Sequence, residues 1–158
     1  MTVFTAPVQY VATPGIPAIF LAGGITGCPD WQAEACEMLE VDPVDILNPR
    51  RPDFDVTDPN AAEQQIRWEF DHLAQADVIL FWFPASESPQ PIALYELGRH
   101  VALNRAVAVG CDPGYPRRFD VAWQVGLATA GRLPVHSELA VTVHRARVLC
   151  RSKELRRS

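Results

Sequence analysis

Glu96 lies in the run Ala93-Leu94-Tyr95-Glu96-Leu97-Gly98-Arg99, about a turn and a half into a helix that should open at Pro91 or Ile92. Leu94 and Leu97 flank it, which places the carboxylate near a buried face, and the helix amino end favours its ionised form. An ionised, partly desolvated carboxylate beside a cleft is the kind of nucleophile that glycosyl transfer requires. The same residues also describe a plain surface pair, Glu96 with Arg99 at i,i+3. Glycosyl transfer needs a second carboxyl group to protonate the leaving group, and Glu69-Phe70-Asp71 offers two candidates. Glu69 and Asp71 point in different directions on a helix, so at most one faces a site; a solvated helix face is the alternative.

Three further segments could bind a ligand. Gly23-Gly24-Ile25-Thr26-Gly27 follows an apolar run, and glycines there let backbone approach a sugar or phosphate closely, or simply form a tight turn. The spacing is not GxGxxG, and no Lys-Ser/Thr follows to make a P-loop. Asn48-Pro49-Arg50-Arg51 presents two arginines where a dinucleotide fold would put an acid, which suits a phosphate or just makes a basic loop. Trp31, Trp82 and Phe83 could stack on a base, with Trp82 equally suited to the core.

The bulk numbers exclude several classes. The 158 residues suit one domain, with 48% hydrophobic and 21% charged residues. A formal net charge of -5 argues against polymeric nucleic acid as a general partner. His72, His100, His136 and His144 lack metal-ligand spacing, so no metal is expected, and no cofactor is implied. Cys28, Cys36, Cys111 and Cys150 form no CxxC pair; they read as reduced thiols of a cytoplasmic protein without a secretory leader. The longest apolar run, Val78 to Phe83, is too short to cross a membrane.

The elements that must position these residues alternate. Residues 1 to 17 carry Pro7, Pro14, Gly15 and Pro17 without a clear period and read as an irregular lead-in. Strands are expected at Ala18 to Ala22, Val44 to Leu47, Asp77 to Phe83 (the central one), Ala106 to Gly110 and Leu133 to Val135. Helices are expected from Trp31 to Glu40, capped by Asp30, from Asp58-Pro59 to Gln75 with Ile66, Phe70 and Leu73 at helical spacing, to Leu103 from Pro91 or Ile92, from Phe119 to Ala130, and from Glu138 to Cys150 before a frayed basic tail over 151 to 158. This order predicts a five-stranded parallel sheet with helices on both faces and strand order 2-1-3-4-5. Ligands in such folds bind beyond the strand carboxyl ends at the switch point, here the Gly23 to Trp31 loop and the Pro84 to Gln90 loop. Asp77 opens the central strand at the opposite end and reads as structural.

Taken together, Ile19-Phe20-Leu21-Ala22-Gly23-Gly24-Ile25, the run Trp68 to Leu80 with Ala76-Asp77-Val78-Ile79, and Tyr95-Glu96-Leu97-Gly98-Arg99 resemble the nucleoside 2-deoxyribosyltransferase family and the related deoxynucleotide N-hydrolases over about Ile19 to Gly110. The resemblance implies a flavodoxin-like three-layer sandwich, and homo-oligomers with active sites near subunit interfaces. It makes Glu96 the nucleophile and assigns the second acid to the position eight residues before Asp77, which is Glu69 where many members carry aspartate. Asp71 is the alternative. A tyrosine that many members place near the first loop is not evident.

The expected function is therefore N-glycosidic bond cleavage or transfer on a nucleoside or nucleotide. It would proceed by double displacement through a glycosyl-enzyme on Glu96, with Glu69 or Asp71 helping the base leave; a retaining geometry sets the two carboxyl groups about 5–5.5 Å apart. Gly23, Gly24, Ile25, Thr26, Trp31, Asn48, Arg50, Arg51 and Pro84 are the expected substrate-binding residues, the arginines tilting the choice toward a phosphorylated substrate. A nucleotide-binding module of the same fold without turnover is the alternative.

Overall fold

The computed structural model describes residues 1–54 and 57–157, with side chains as far as Ser152. In chain order the elements are β1 (Thr2–Thr5), β2 (Ala18–Gly23), α1 (Trp31–Leu39), β3 (Asp45–Asn48), α2 (Pro59–Gln75), β4 (Val78–Phe83), α3 (Pro91–Ala102), β5 (Val107–Cys111), α4 (Arg118–Ala128), β6 (Val135–His136) and α5 (Leu139–Arg157). All strands are parallel in one sheet of order β1-β3-β2-β4-β5-β6. The five predicted strands are β2 to β6, and their order, β3-β2-β4-β5-β6, is the 2-1-3-4-5 expected for a flavodoxin-like sandwich.

The sheet has six strands rather than five. Thr2–Thr5, inside the segment expected to be irregular, pairs in parallel with β3 from Thr2 opposite Asp45 to Thr5 opposite Asn48. Its β-branched and aromatic residues suit a strand; as an outer strand it is only half covered, which leaves no apolar run to read. The last helix, expected to stop at Cys150, runs on to Arg157.

Alternation along the strands splits the interior in two. Phe20, Ile79, Phe81, Phe83 and Val109 face one side, where α2, α3 and α4 bring Trp68, Leu73, Leu97, Val121 and Val125. Ile19, Leu21, Leu80, Trp82 and Ala108 face the other, covered by Trp31 and Leu39 of α1 and by Val143 and Ala146 of α5. On α2 the buried residues are Trp68, His72 and Leu73, whereas Ile66 and Phe70 are exposed. The His72 ring stacks on Trp68 and closes a polar chain, accepting from the Tyr10 amide at 3.0 Å while its other nitrogen meets the Trp68 carbonyl at 2.6 Å. Asp77 ties β4 to β2: its carboxylate accepts from the Ala18 amide at 3.1 Å, and its own amide donates to the Ala18 carbonyl at 2.9 Å. Among the described residues no helix is long and apolar enough to cross a membrane.

Candidate active site

The loops after β2 and β4 meet at the carboxyl end of the sheet because their strands are neighbours, Gly23 lying in register with Trp82. Space there is short. A Cβ on Gly23 would stand 2.0 Å from the Trp82 carbonyl oxygen, and one on Gly24 would stand 2.5 Å from both the Cys28 sulfur and the Gln90 amide. The two glycines are therefore needed for close approach within the protein itself. Trp31 sits beneath this turn at 2% exposure, its indole N–H donating to the Gly24 carbonyl at 2.9 Å.

Arg50 anchors the same loop from outside. Its Nε donates to Gln32 Oε1 at 2.9 Å, and one Nη donates to the carbonyls of Ile25, Cys28 and Pro29 at 3.3, 3.3 and 2.8 Å. The Asp30 carboxylate lies 3.3 Å from Nε. Asn48 turns the chain into this residue, its side-chain oxygen accepting from the Arg50 amide at 2.9 Å. The second loop is fixed by Gln90, whose Nε2 donates to the Pro84 carbonyl at 3.2 Å and the Ser86 hydroxyl at 3.3 Å. From behind, the Tyr115 hydroxyl donates to the Pro89 carbonyl at 2.8 Å. Gln90 precedes Pro91, the first residue of α3, and holds a left-handed backbone with φ of 49°, a conformation uncommon outside glycine.

Between the loops opens a cleft of about 240 Å³. Gly23, Gly24, Ile25 and Thr26 line it from the first loop, Ser88 and Gln90 from the second, and Ile92 from α3. Glu96 from α3 and Glu69 from α2 bring two carboxyl groups to the same space. Glu69 Oε1 accepts from Gln65 Nε2 at 2.8 Å, and that amide also donates to the Pro49 carbonyl. Burial raises the Glu69 carboxyl above its ordinary value, against the hydrogen bond from Gln65. Glu96 is pushed up to about 8, by burial first and by the charge of Glu69 second, with Arg99 opposing. Burial and the charge of Glu69 thus oppose the helix end, expected to favour the ionised form. Glu96 is the sixth residue of α3, beyond the first turn where the helix dipole acts, so desolvation and its acidic neighbour prevail.

Residues 16–115 match the family described as nucleoside 2-deoxyribosyltransferase like. The chain belongs to that family. No curated protein matched the chain.

The segment shared with the deoxyribosyltransferase-like family contains every residue that lines the cleft, including both carboxyl groups. Of the residues singled out in the sequence, Glu96, Glu69, Gly23, Gly24, Ile25 and Thr26 come together there. Asp71 does not: it is exposed on the outer side of α2. Trp31 is in the core, and Pro84, Asn48, Arg50 and Arg51 line other hollows. Arg51 is engaged with Gln64 at 3.0 Å and lies 3.8 Å from Asp53. Phe83 is fully buried in the core, and Trp82 is a core residue that borders the same hollow as Pro84, apart from the Glu96 cleft. Ser88 and Gln90 line the cleft from the Pro84 to Gln90 loop, where the sequence leads one to expect ligand binding though it singles out neither as a site residue; Ile92 is marked there only as a possible helix start.

Proposed function

We propose that the protein breaks the N-glycosidic bond of a nucleoside through a covalent sugar ester on Glu96, with Glu69 as the acid that protonates the departing base. What carries the reading is the presence of two carboxyl groups and, among the described residues, no cationic side chain on one family-shared cleft. Mutual repulsion between like charges keeps one proton on such a pair at neutral pH. That proton rests on Glu96 in the free protein and sits on Glu69 in the reactive form; the Glu96 carboxylate then attacks C1′, the bond from C1′ to the base nitrogen breaks, and the proton passes to that nitrogen. In the second half a water or another base attacks C1′ from the vacated side, gives its proton to Glu69 and frees Glu96. Water makes the protein a hydrolase and a base makes it a transferase.

The nucleoside is favoured over its 5′-phosphate because Arg50, the arginine nearest the first loop, already donates to Gln32 and to three carbonyls of that loop. Purified protein incubated with a panel of nucleosides and 5′-nucleotides, with and without an acceptor base, tests the reading by released base. A 2′-fluorinated nucleoside should leave a mass increment on Glu96, and Glu96→Ala should lose both adduct and base release with its fold intact. Tight binding with neither adduct nor base release would instead favour a binding module, and unchanged turnover in folded Glu96→Ala would end the mechanism.

A further inference from the structure

A second hollow, of about 210 Å³, opens at the other end of the sheet. It is lined by Asn104 and Arg105 after α3, Val107 at the start of β5, Thr129 and Arg132 after α4, and Arg145 of α5. Three arginines thus line one small space in a chain whose formal net charge is -5. No acidic side chain lines it among the described residues.

Capping of helix carboxyl ends accounts for one of the three. Arg105 donates to the Ala74 and Ala76 carbonyls at 3.2 and 2.6 Å, closing the end of α2. The side chains of Arg132 and Arg145 have no hydrogen-bond or ion-pair partner among the described residues, and Arg145 Nε is buried without an acceptor. The carboxyl ends of α3 and α4 at the rim add about half a negative charge each, about one in all against the two guanidinium charges left after capping, so the hollow keeps a net positive charge. His136 registers that excess: burial first, and then the charge of Arg145, lower its pKa. A half-desolvated guanidinium without a partner gains most from a direct, charge-assisted bond to an oxyanion.

We propose that this hollow is a binding site for a compact phosphate-bearing anion, separate from the Glu96 cleft. Phosphoryl oxygens match the guanidinium N–H donors of Arg132 and Arg145, with Asn104 at the rim. Arg132 and Arg145 lie beyond the 16–115 span matched by the family, so the two arginines left free by capping come from the chain's later elements. It does not depend on the glycosidic chemistry of Glu96.

The test is calorimetric titration of the full chain at fixed ionic strength, so that screening is constant. Sodium pyrophosphate, inorganic phosphate and a nucleoside 5′-diphosphate serve as probes. One site per chain is expected for at least one of them. Glu96→Gln should retain it, and the Arg132→Ala/Arg145→Ala double variant should bind about tenfold or more weakly. Arg132 is exposed and unpartnered, so Arg132→Ala alone keeps the test valid if the double variant fails to fold; it should weaken binding about threefold or more. A nucleoside diphosphate tighter than pyrophosphate, and equally sensitive to the arginines, identifies a nucleotide as the source of the phosphate; the reverse order identifies a free polyphosphate. No heat with any probe, or binding that survives loss of the arginines, overturns the proposal.

Discussion

Glu69 and Glu96 line the same cleft from different helices, and the charge on Glu69 is, after burial, the main cause that pushes the Glu96 carboxyl up to about 8. The pair works as one proton-holding unit. The proposed reaction needs that unit singly protonated, so base release should fall as pH rises through about 8, where the pair gives up the shared proton that Glu69 must deliver to the base. A pH profile of kcat/KM checks this. Replacing Glu69 by Gln removes the like charge, shifts that alkaline limb, and slows base release by roughly 10²–10⁴ through loss of the acid. Asp71→Asn, an exposed change, should leave rate and profile alone.

The same elevation has a consequence for stability. The folded pKa of Glu96 lies near 8 and its ordinary value is 4.5. Protonated Glu96 therefore favours the folded state. That contribution is complete below about 4.5 and is lost as pH rises to about 8. Glu96→Gln, which stays neutral, should be more stable than the parent at pH 8 by on the order of 2 kcal/mol, allowing for solvent screening. The two proteins should converge near pH 4. Urea unfolding at both values reads the difference.

Arg50 donates its guanidinium inward, to Gln32 and the loop carbonyls. Arg50→Ala should consequently raise KM for a nucleoside and for its 5′-phosphate by the same factor. It should also lower the melting temperature, since three carbonyls lose a donor. A penalty confined to the phosphorylated substrate would reassign Arg50 to direct phosphate binding.

Gly23 and Gly24 differ in what an added methyl group would meet. At Gly23 the obstacle is the Trp82 backbone and the Trp31 ring, which cannot yield without moving β4. At Gly24 it is the ends of the Cys28 and Gln90 side chains. Gly23→Ala should destabilise the protein by about 1–3 kcal/mol or more. Gly24→Ala should unfold at nearly the parental denaturant concentration yet bind substrate more weakly, because Gln90 is displaced. Paired denaturation and kinetic measurements separate the two.

The strand order was readable from fully apolar strands such as Val78–Phe83, and Glu96 stood out as a carboxylate among apolar helix neighbours, whereas the preference for Glu69, with Asp71 as its alternative, came from the family resemblance and not from a local signal. What escaped had weaker local marks. β1 is an outer strand with solvent on half its residues, so Val3 and Phe4 show no apolar run. On α2, Ile66 and Phe70 hold the apolar spacing but Trp68 and His72 take the core, since one ring is larger and the other finds hydrogen-bond partners. The arginines of Asn48-Pro49-Arg50-Arg51 signalled charge without direction; only the folded loop shows that Arg50 points back into its own backbone. Glu96 was placed correctly along the helix, but the depth of burial that sets its protonation is a property of three packed elements, not of its neighbours in sequence.

The interior of this protein is divided by the sheet, and one half depends on α5 to cover Leu80, Trp82 and Ala108. Every residue lining the Glu96 cleft is synthesised well before that helix. A nascent chain can thus carry all of its reactive groups while the rear of its central strand is still bare and adhesive. Assembly of a competent protein waits on the docking of a segment that touches none of the chemistry, and that interval is when a growing chain has most to gain from a chaperone.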